Sequence, residues 1–157
     1  MRHKKVLKRK TSSDEIYGST LVAKFINNIM RDGKKTVAQS VVYGAFNILK
    51  EKGHNPLETF EKAIQTVAPK QEVISRRVGG ASYQVPQPVK TERKISLAMR
   101  WIIEAAAKRP SKEMHTFKEK LATEILAAVN NEGEAVRKRD IIQKQAEANR
   151  AFSHFRF

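Results

Sequence analysis

The stretch Val73–Val89, VISRRVGGASYQVPQPV, reads as two short β-strands joined at Gly79 and Gly80. A Gly-Gly pair supplies the positive φ angles that a tight hairpin turn requires. A two-residue turn would put Ile74, Arg76, Val78, Ala81, Tyr83 and Val85 on one face, and Ser75, Arg77, Ser82 and Gln84 on the other. Pro86 and Pro88 lack the donors that would extend a sheet, and a lone two-stranded hairpin is marginally stable in water. The expectation is an arm that protrudes and becomes rigid against a partner. The alternative is a hairpin that lies on the helices with Arg76 and Arg77 solvated.

Outward from the hairpin, apolar residues recur at helical spacing. Ser19 is a candidate cap for a first helix carrying Leu21, Val22, Phe25, Ile26, Ile29 and Met30, with Gly33 as its stop. A second helix is expected from about Lys35 to Lys52, with Ala38, Val42, Ala45 and Leu49 on its stripe and Gly53 after it. The sequence Asn55-Pro56-Leu57-Glu58 marks a third start, with Asn55 as cap, Pro56 in the first helical position and Glu58 completing a box-like arrangement. Pro69 ends it. Thr91 is a candidate cap for a fourth helix that runs to Pro110. A fifth carries Phe117, Leu121, Ile125 and Ala128, and a sixth follows Gly133, roughly from Glu134 to Asn149. The fold class expected is mainly α, a six-helix bundle-like domain with one protruding β-hairpin and a basic, flexible N-terminal tail. Residues 1–157 read as one RNA-binding domain, in which 1–13 form the tail, 72–89 the hairpin arm and 134–157 the C-terminal helix and its tail.

Charge narrows the partner. Thirty-one Lys and Arg against sixteen Asp and Glu leave a net +15, and the isoelectric point of about 10.2 is that of a nucleic-acid binder. The excess is segregated: the first ten residues hold six Lys and Arg and no acid, the segment 69–112 is also basic, and 113–134 is acidic. Such blocks imply one side that faces an anion and one that faces solvent. There is no cysteine, so thiol chemistry, disulfides and cysteine zinc sites are excluded. No apolar run approaches the about 18 residues of a membrane span, and the N-terminal basic residues are not followed by the apolar stretch of a signal peptide. A cytoplasmic protein is expected.

Cations crowd three expected helix starts: Lys34 and Lys35, Arg93 and Lys94, and Arg137, Lys138 and Arg139. A helix N-terminus carries partial positive charge, so cations there are unfavourable unless an anion joins them. Phosphate contacts at these three starts are therefore expected; for residues 137–139, which point in three directions, a solvated surface is the equal alternative. The starts near Asp14 to Ser19, Asn55 and Ser111 carry acids instead, at Asp14 and Glu15, Glu58 and Glu113.

Catalytic and metal signatures are missing. The four histidines are isolated from one another and from carboxylates at ligand spacing. DGKKT at Asp32–Thr36 fails as a phosphate loop, because the first lysine after Gly33 is followed by a second lysine before Thr36, and Asn28 stands where a glycine is required. Trp101 reads either as core or as a base-stacking ring. No cofactor and no small-molecule substrate is expected.

Several motifs occur together in order: DGKK (Asp32–Lys35), SRRVGG (Ser75–Gly80), YQVP (Tyr83–Pro86), LAMRWI (Leu97–Ile102) and AEANRAFSHFR (Ala146–Arg156). In these the chain resembles the bacterial form of the small-subunit ribosomal protein seven family. That resemblance implies a structural role in the small ribosomal subunit, with binding to the 3′ major domain of 16S rRNA and nucleation of head assembly. It implies rRNA contacts by the tail residues Arg2, Lys4, Lys5, Lys8, Arg9 and Lys10, by the loop residues Lys34 and Lys35, by Arg76 and Arg77 at the hairpin base, and by Arg93, Lys94, Arg100 and Arg109. It also implies that the tip residues Val78, Gly79, Gly80, Ala81 and Ser82, with Arg150 and Arg156 of the C-terminal segment, lie near the exit-site tRNA and the mRNA path by the decoding region. Small-subunit proteins nine and eleven would be neighbours. The rival readings are a free-standing nucleic-acid regulator, an enzyme and a membrane-surface protein.

Overall fold

A computed structural model describes residues 11–112 and 114–155. In chain order the elements are α1 (Thr20–Ile29), α2 (Lys35–Glu51), α3 (Pro56–Val67), β1 (Gln71–Val78), β2 (Ala81–Pro88), α4 (Thr91–Lys108), α5 (Phe117–Val129), α6 (Glu134–Ala148) and a 3₁₀ helix (Arg150–Phe155). Among the described residues the expected fold class holds, with six α-helices and one antiparallel hairpin; the first ten residues of the expected tail lie outside them. The chain divides into two compact units, residues 1–40 and 41–157, with the boundary inside α2.

In the first unit, a turn precedes α1. Asp14 builds it: its carboxylate accepts the amides of Ile16 at 3.2 Å and Tyr17 at 3.0 Å, and its own amide bonds to the Ser19 carbonyl. Asp14 is thus a turn residue, and the first turn of α1 contains no acid. Ser19 occupies the cap position without a side-chain cap bond, and the helix stops at Ile29, ahead of Gly33. Val22, Phe25 and Ile26 form its buried stripe.

In the second unit, α3 begins as its local sequence dictates. Pro56 takes the first helical position, the Asn55 side chain accepts the Leu57 amide at 3.3 Å, and the same side chain donates to Glu58 at 2.9 Å. Pro at that position forfeits no helical bond, because its amide would have had no partner. Helices α3, α4 and α5 pack on one another, and α6 lies against α3, α4 and α5. Their inward residues Phe60, Ile64, Met99, Ile102, Leu121 and Ile125 are at most 4% exposed. Phe46 on the later part of α2 meets Phe60 with ring centroids 5.6 Å apart. Trp101 is core, 4% exposed.

Two helix starts differ from the expected ones. The cap of α4 is Lys90, so Thr91 is already helical. Helix α5 starts at Phe117 behind Thr116, whose amide bonds to Glu119 at 3.3 Å; Glu119, three residues past the cap, occupies the acidic position of a capping box, and Glu113 lies outside the described residues.

The hairpin has the expected register, with Val78 opposite Ala81, Arg76 opposite Tyr83 and Ile74 opposite Val85. Gly79 and Gly80 have φ of 56° and 90°, as a two-residue type I′ turn demands. Below the strands the Val89 amide bonds to the Lys70 carbonyl at 3.2 Å. Antiparallel ladders alternate bonded and non-bonded pairs, so Val73–Pro86 and Gln71–Pro88 are non-bonded pairs. The two prolines therefore remove no ladder bond; they remove outward donors, which blunts the free edge of β2.

The arm is partly docked. Both strands contact α6, and β2 contacts the 3₁₀ helix. Val85 and Pro86 are buried, while Gly79 through Ser82 are exposed. The base of the hairpin therefore belongs to the body, and its tip stands clear of it.

Candidate nucleic-acid interface

A strand alternates its side chains between faces, so Arg76 and Arg77 leave the hairpin on opposite faces. Arg77 is exposed opposite Ser82. Arg76 lies on the packed face opposite Tyr83, half-buried, with its Nε buried and without a hydrogen-bond partner. The register also moves both residues. With the turn at Gly79–Gly80, Arg77 is one pair from the closing pair and Arg76 two, so they occupy the distal half of the arm and not its base.

Helix α4 carries the next set. Arg93 donates from Nε to both oxygens of Glu72, at 2.7 and 2.8 Å, and so ties the start of the helix to β1. The pair is open to water on the arginine side, where the side chain is 59% exposed. Arg100 stands two turns further along the same stripe, exposed; Lys94 beside Arg93 is half-buried. Neither Lys94 nor Arg100 has an ion-pair partner among the described residues, and Glu92 occupies the first turn of this helix.

The cations at residues 109 and 137–139 are occupied within the fold. Arg109 pairs with Glu124, whose side chain is 1% exposed. The other oxygen of Glu124 accepts the Ala135 amide at 3.1 Å. A carboxylate thus already takes an amide at the N-terminus of α6, where a phosphate contact and a solvated surface were equal expectations. Gly133 precedes the helix at φ 94°, and a Cβ there would lie 2.7 Å from Glu124 Oε1. Arg137 bonds Glu134 at 2.6 Å, and Lys138 bonds Glu104 at 2.6 Å. Arg139 donates to the Thr66 carbonyl at 2.6 Å and pairs with Asp140. These three cations fasten α6 to itself, to α4 and to α3. The hydrogen bond from Lys138, opposed by partial burial and aided by the charges of Lys138 and Lys108, holds the Glu104 carboxyl below its ordinary range.

In the first unit, Lys34 and Lys35 are exposed at the start of α2, whose first turn contains no acid. Asp32 at φ 51° and Gly33 at φ 72° turn the chain into the helix, and neither lysine has an ion pair among the described residues. This is the one of the three cationic starts at which neither an internal carboxylate nor an acidic first turn is present among the described residues.

The C-terminal segment, from which Arg150 was expected as a site residue, adds a groove and an aromatic contact that the sequence reading did not include. Arg150, Lys70 and His154 line a groove of about 540 Å³ between the hairpin base, α6 and the 3₁₀ helix. Phe152 and Phe155 meet Tyr83 of β2, with centroids 5.3 and 5.1 Å apart. Aromatic residues three apart in a tail were a visible signal for that contact. Likewise, a glutamate between Leu121 and Ile125 on an apolar stripe signals a buried partner. Arg2, Lys4, Lys5, Lys8, Arg9, Lys10 and Arg156 lie outside the described residues. Among the described residues there is no cluster of three potential metal ligands and no helix long and apolar enough to cross a membrane.

A hairpin with an exposed Gly-Gly tip, set in a helical body whose spare cations lie on α4 and β1, carries the motifs noted in the sequence. A family model described as ribosomal protein S7p/S5e matches residues 1–150. The chain belongs to the ribosomal protein S7p/S5e family. Small ribosomal subunit protein uS7 of Thermotoga neapolitana is 52% identical over 158 residues, covering 100% of both chains. The uS7 proteins of Beijerinckia indica, 52% identical over 96% of this chain and 95% of that one, and of Pseudomonas paraeruginosa, 50% identical over 99% of each, are also similar. As an S7p/S5e protein the chain is a structural component of the small ribosomal subunit, in a family that is not enzymatic.

Proposed function

We propose that this chain is a primary rRNA-binding protein that binds the 3′ major domain of 16S rRNA and nucleates assembly of the small-subunit head. The observation that carries this reading is the division among its cations. Arg109, Arg137, Lys138 and Arg139 each pair with a carboxylate of the chain, whereas Lys34, Lys35, Arg77, Lys94 and Arg100 have no ion pair among the described residues. Unpaired surface cations lower stability through mutual repulsion, and a polyphosphate partner reverses that sign. Folded RNA is recognised through shape, phosphates and stacking, which suits lysine point charges and flat guanidinium heads.

In this reading residues 1–157 act as one RNA-binding domain in function, and the basic tail adds phosphate contacts. The hairpin tip, Val78 to Ser82, and the C-terminal residues Arg150 and Arg156 face the exit-site tRNA and the mRNA path near the decoding region, and small-subunit proteins nine and eleven are neighbours. Chemical footprinting of a 16S 3′ major-domain transcript, with and without the protein, tests the assignment. Protection of a defined set of nucleotides at moderate salt is expected; uniform reactivity would overturn it. For the tip, polar replacement of Val78 and Ala81 is expected to preserve rRNA binding and alter exit-site tRNA retention in reconstituted subunits. Loss of rRNA binding would show that this division of labour is wrong.

A further inference from the structure

The distal half of the hairpin has little to hold it. Its base is anchored by buried Val85, Pro86 and Val89, but beyond Val85 the strands carry only half-buried or exposed residues. Two strands alone do not form a rigid arm in water. The added contact is aromatic: Tyr83 lies 5.3 Å from Phe152 and 5.1 Å from Phe155, while Phe152 and Phe155 are nearly parallel to each other, 13° apart at 6.4 Å. A 3₁₀ helix has three residues per turn, so positions 152 and 155 share one face. The segment is fixed to the end of α6 by the bond from the Phe152 amide to the Asn149 carbonyl at 3.0 Å. Tyr83 is the cross-strand partner of Arg76.

We propose that Phe152 and Phe155 are positioning residues: they clamp Tyr83 and thereby set the direction in which Arg76 and Arg77 leave the body. The C-terminal 3₁₀ helix is then a part of the hairpin's geometry. Residues about 70 positions away in sequence decide whether the two arginines are presented in one orientation or many, so the entropy of ordering the arm is met before RNA arrives. The role of the two arginines in this inference rests on the RNA-binding reading above.

The test uses the full chain. In Phe152→Ala/Phe155→Ala, amide hydrogen exchange at Arg76 and Tyr83 is expected to accelerate about tenfold, while amides around Met99 and Ile102 in α4 keep their protection. Phe152→Tyr/Phe155→Tyr is expected to restore the slow exchange. Unchanged exchange at Arg76 and Tyr83, or equal loss of protection in α4, overturns the clamp. Should the alanine pair not fold, Tyr83→Leu removes the same contact from the hairpin side and is read by the same criteria. Affinity for the 16S 3′ major-domain transcript then closes a cycle with Arg76→Ala/Arg77→Ala. Positioning requires that the arginine substitutions lose at least about threefold less affinity when the clamp is absent; equal losses in both backgrounds overturn the coupling. If the arginine substitutions change no affinity in the native chain, the RNA reading of the hairpin fails, and the exchange comparison alone decides the clamp.

Discussion

Arg109 and Glu124 form a pair in which Nε and Nη2 of the arginine both lie 2.7 Å from Oε2 of the carboxylate. Glu124 Oε1 meanwhile accepts the first-turn amide of α6. One buried carboxylate therefore joins the end of α4, the middle of α5 and the beginning of α6. Breaking such a pair on one side strands the other charge in the interior.

Arg109→Ala is expected to lower stability by about 3 kcal/mol, the cost typical of leaving a buried charge unpaired. Glu124→Gln, which retains an acceptor for the Ala135 amide, is expected to cost less. Urea denaturation measures both. If Arg109 instead serves chiefly as an RNA contact, its substitution will leave the unfolding midpoint in place and reduce rRNA affinity.

Gly133→Ala is expected to destabilise the chain by about 1–3 kcal/mol from backbone strain, with a further cost from the approach to Glu124. At φ 94° and ψ 168° the residue occupies a region that glycine alone populates readily, and the new Cβ would also come 3.3 Å from Ala127 Cβ. Thermal unfolding followed at Trp101 is the measurement; an unshifted melting temperature contradicts the packing described around Glu124.

Glu104 supplies a pH signature. Its carboxyl is held below the ordinary value of 4.5, first by the hydrogen bond from Lys138. A carboxyl depressed by folding stabilises the native state above its unfolded pKa, and that contribution is lost as pH falls through the folded value. Lys138→Met is expected to return the Glu104 titration, followed by NMR, toward the ordinary range. It should also flatten the acid side of the stability profile slightly, since the side chain is 42% exposed and solvent screens the pair. An unchanged Glu104 titration would show that the pairing does not persist in solution.

The division among cations sets a salt experiment. Neutralising Lys34, Lys35, Arg77 and Arg100 is expected to reduce the log-log salt slope of rRNA binding by about 0.7 to 0.9 for each phosphate that is no longer neutralised. Neutralising Arg137 and Arg139 is expected to leave that slope in place and to lower stability. The reverse pattern would mean that the internal pairs of α6 open to take phosphates.

Much of the fold was legible because it is local. The Asn55 side chain accepts the Leu57 amide and donates to Glu58, with Pro56 between them in the first helical position, so the start of α3 needs no distant partner. Two glycines between alternating strands specify a turn and, through the period of two, the register of the whole hairpin. The cations were harder to assign. A sequence shows that Arg139 sits near a helix start, but its partner, the Thr66 carbonyl, lies 73 residues away. Charge near the start of α6 left phosphate contact and a solvated surface equally open, and in the structure each of the three cations there has a partner within the chain.

Composition and periodicity by themselves determined a basic, mainly helical chain with one hairpin, because turn chemistry, helix capping and hydrophobic spacing act over a few residues; the family was legible only through the resemblance of its ordered motifs. Only the tertiary structure decided which cations remain available and how the hairpin is held. Those outcomes depend on Glu124 reaching both Arg109 and α6, and on Phe152 and Phe155 reaching Tyr83; such pairings are set by the packing of helices and strands, and nothing in the local sequence of either partner specifies the other.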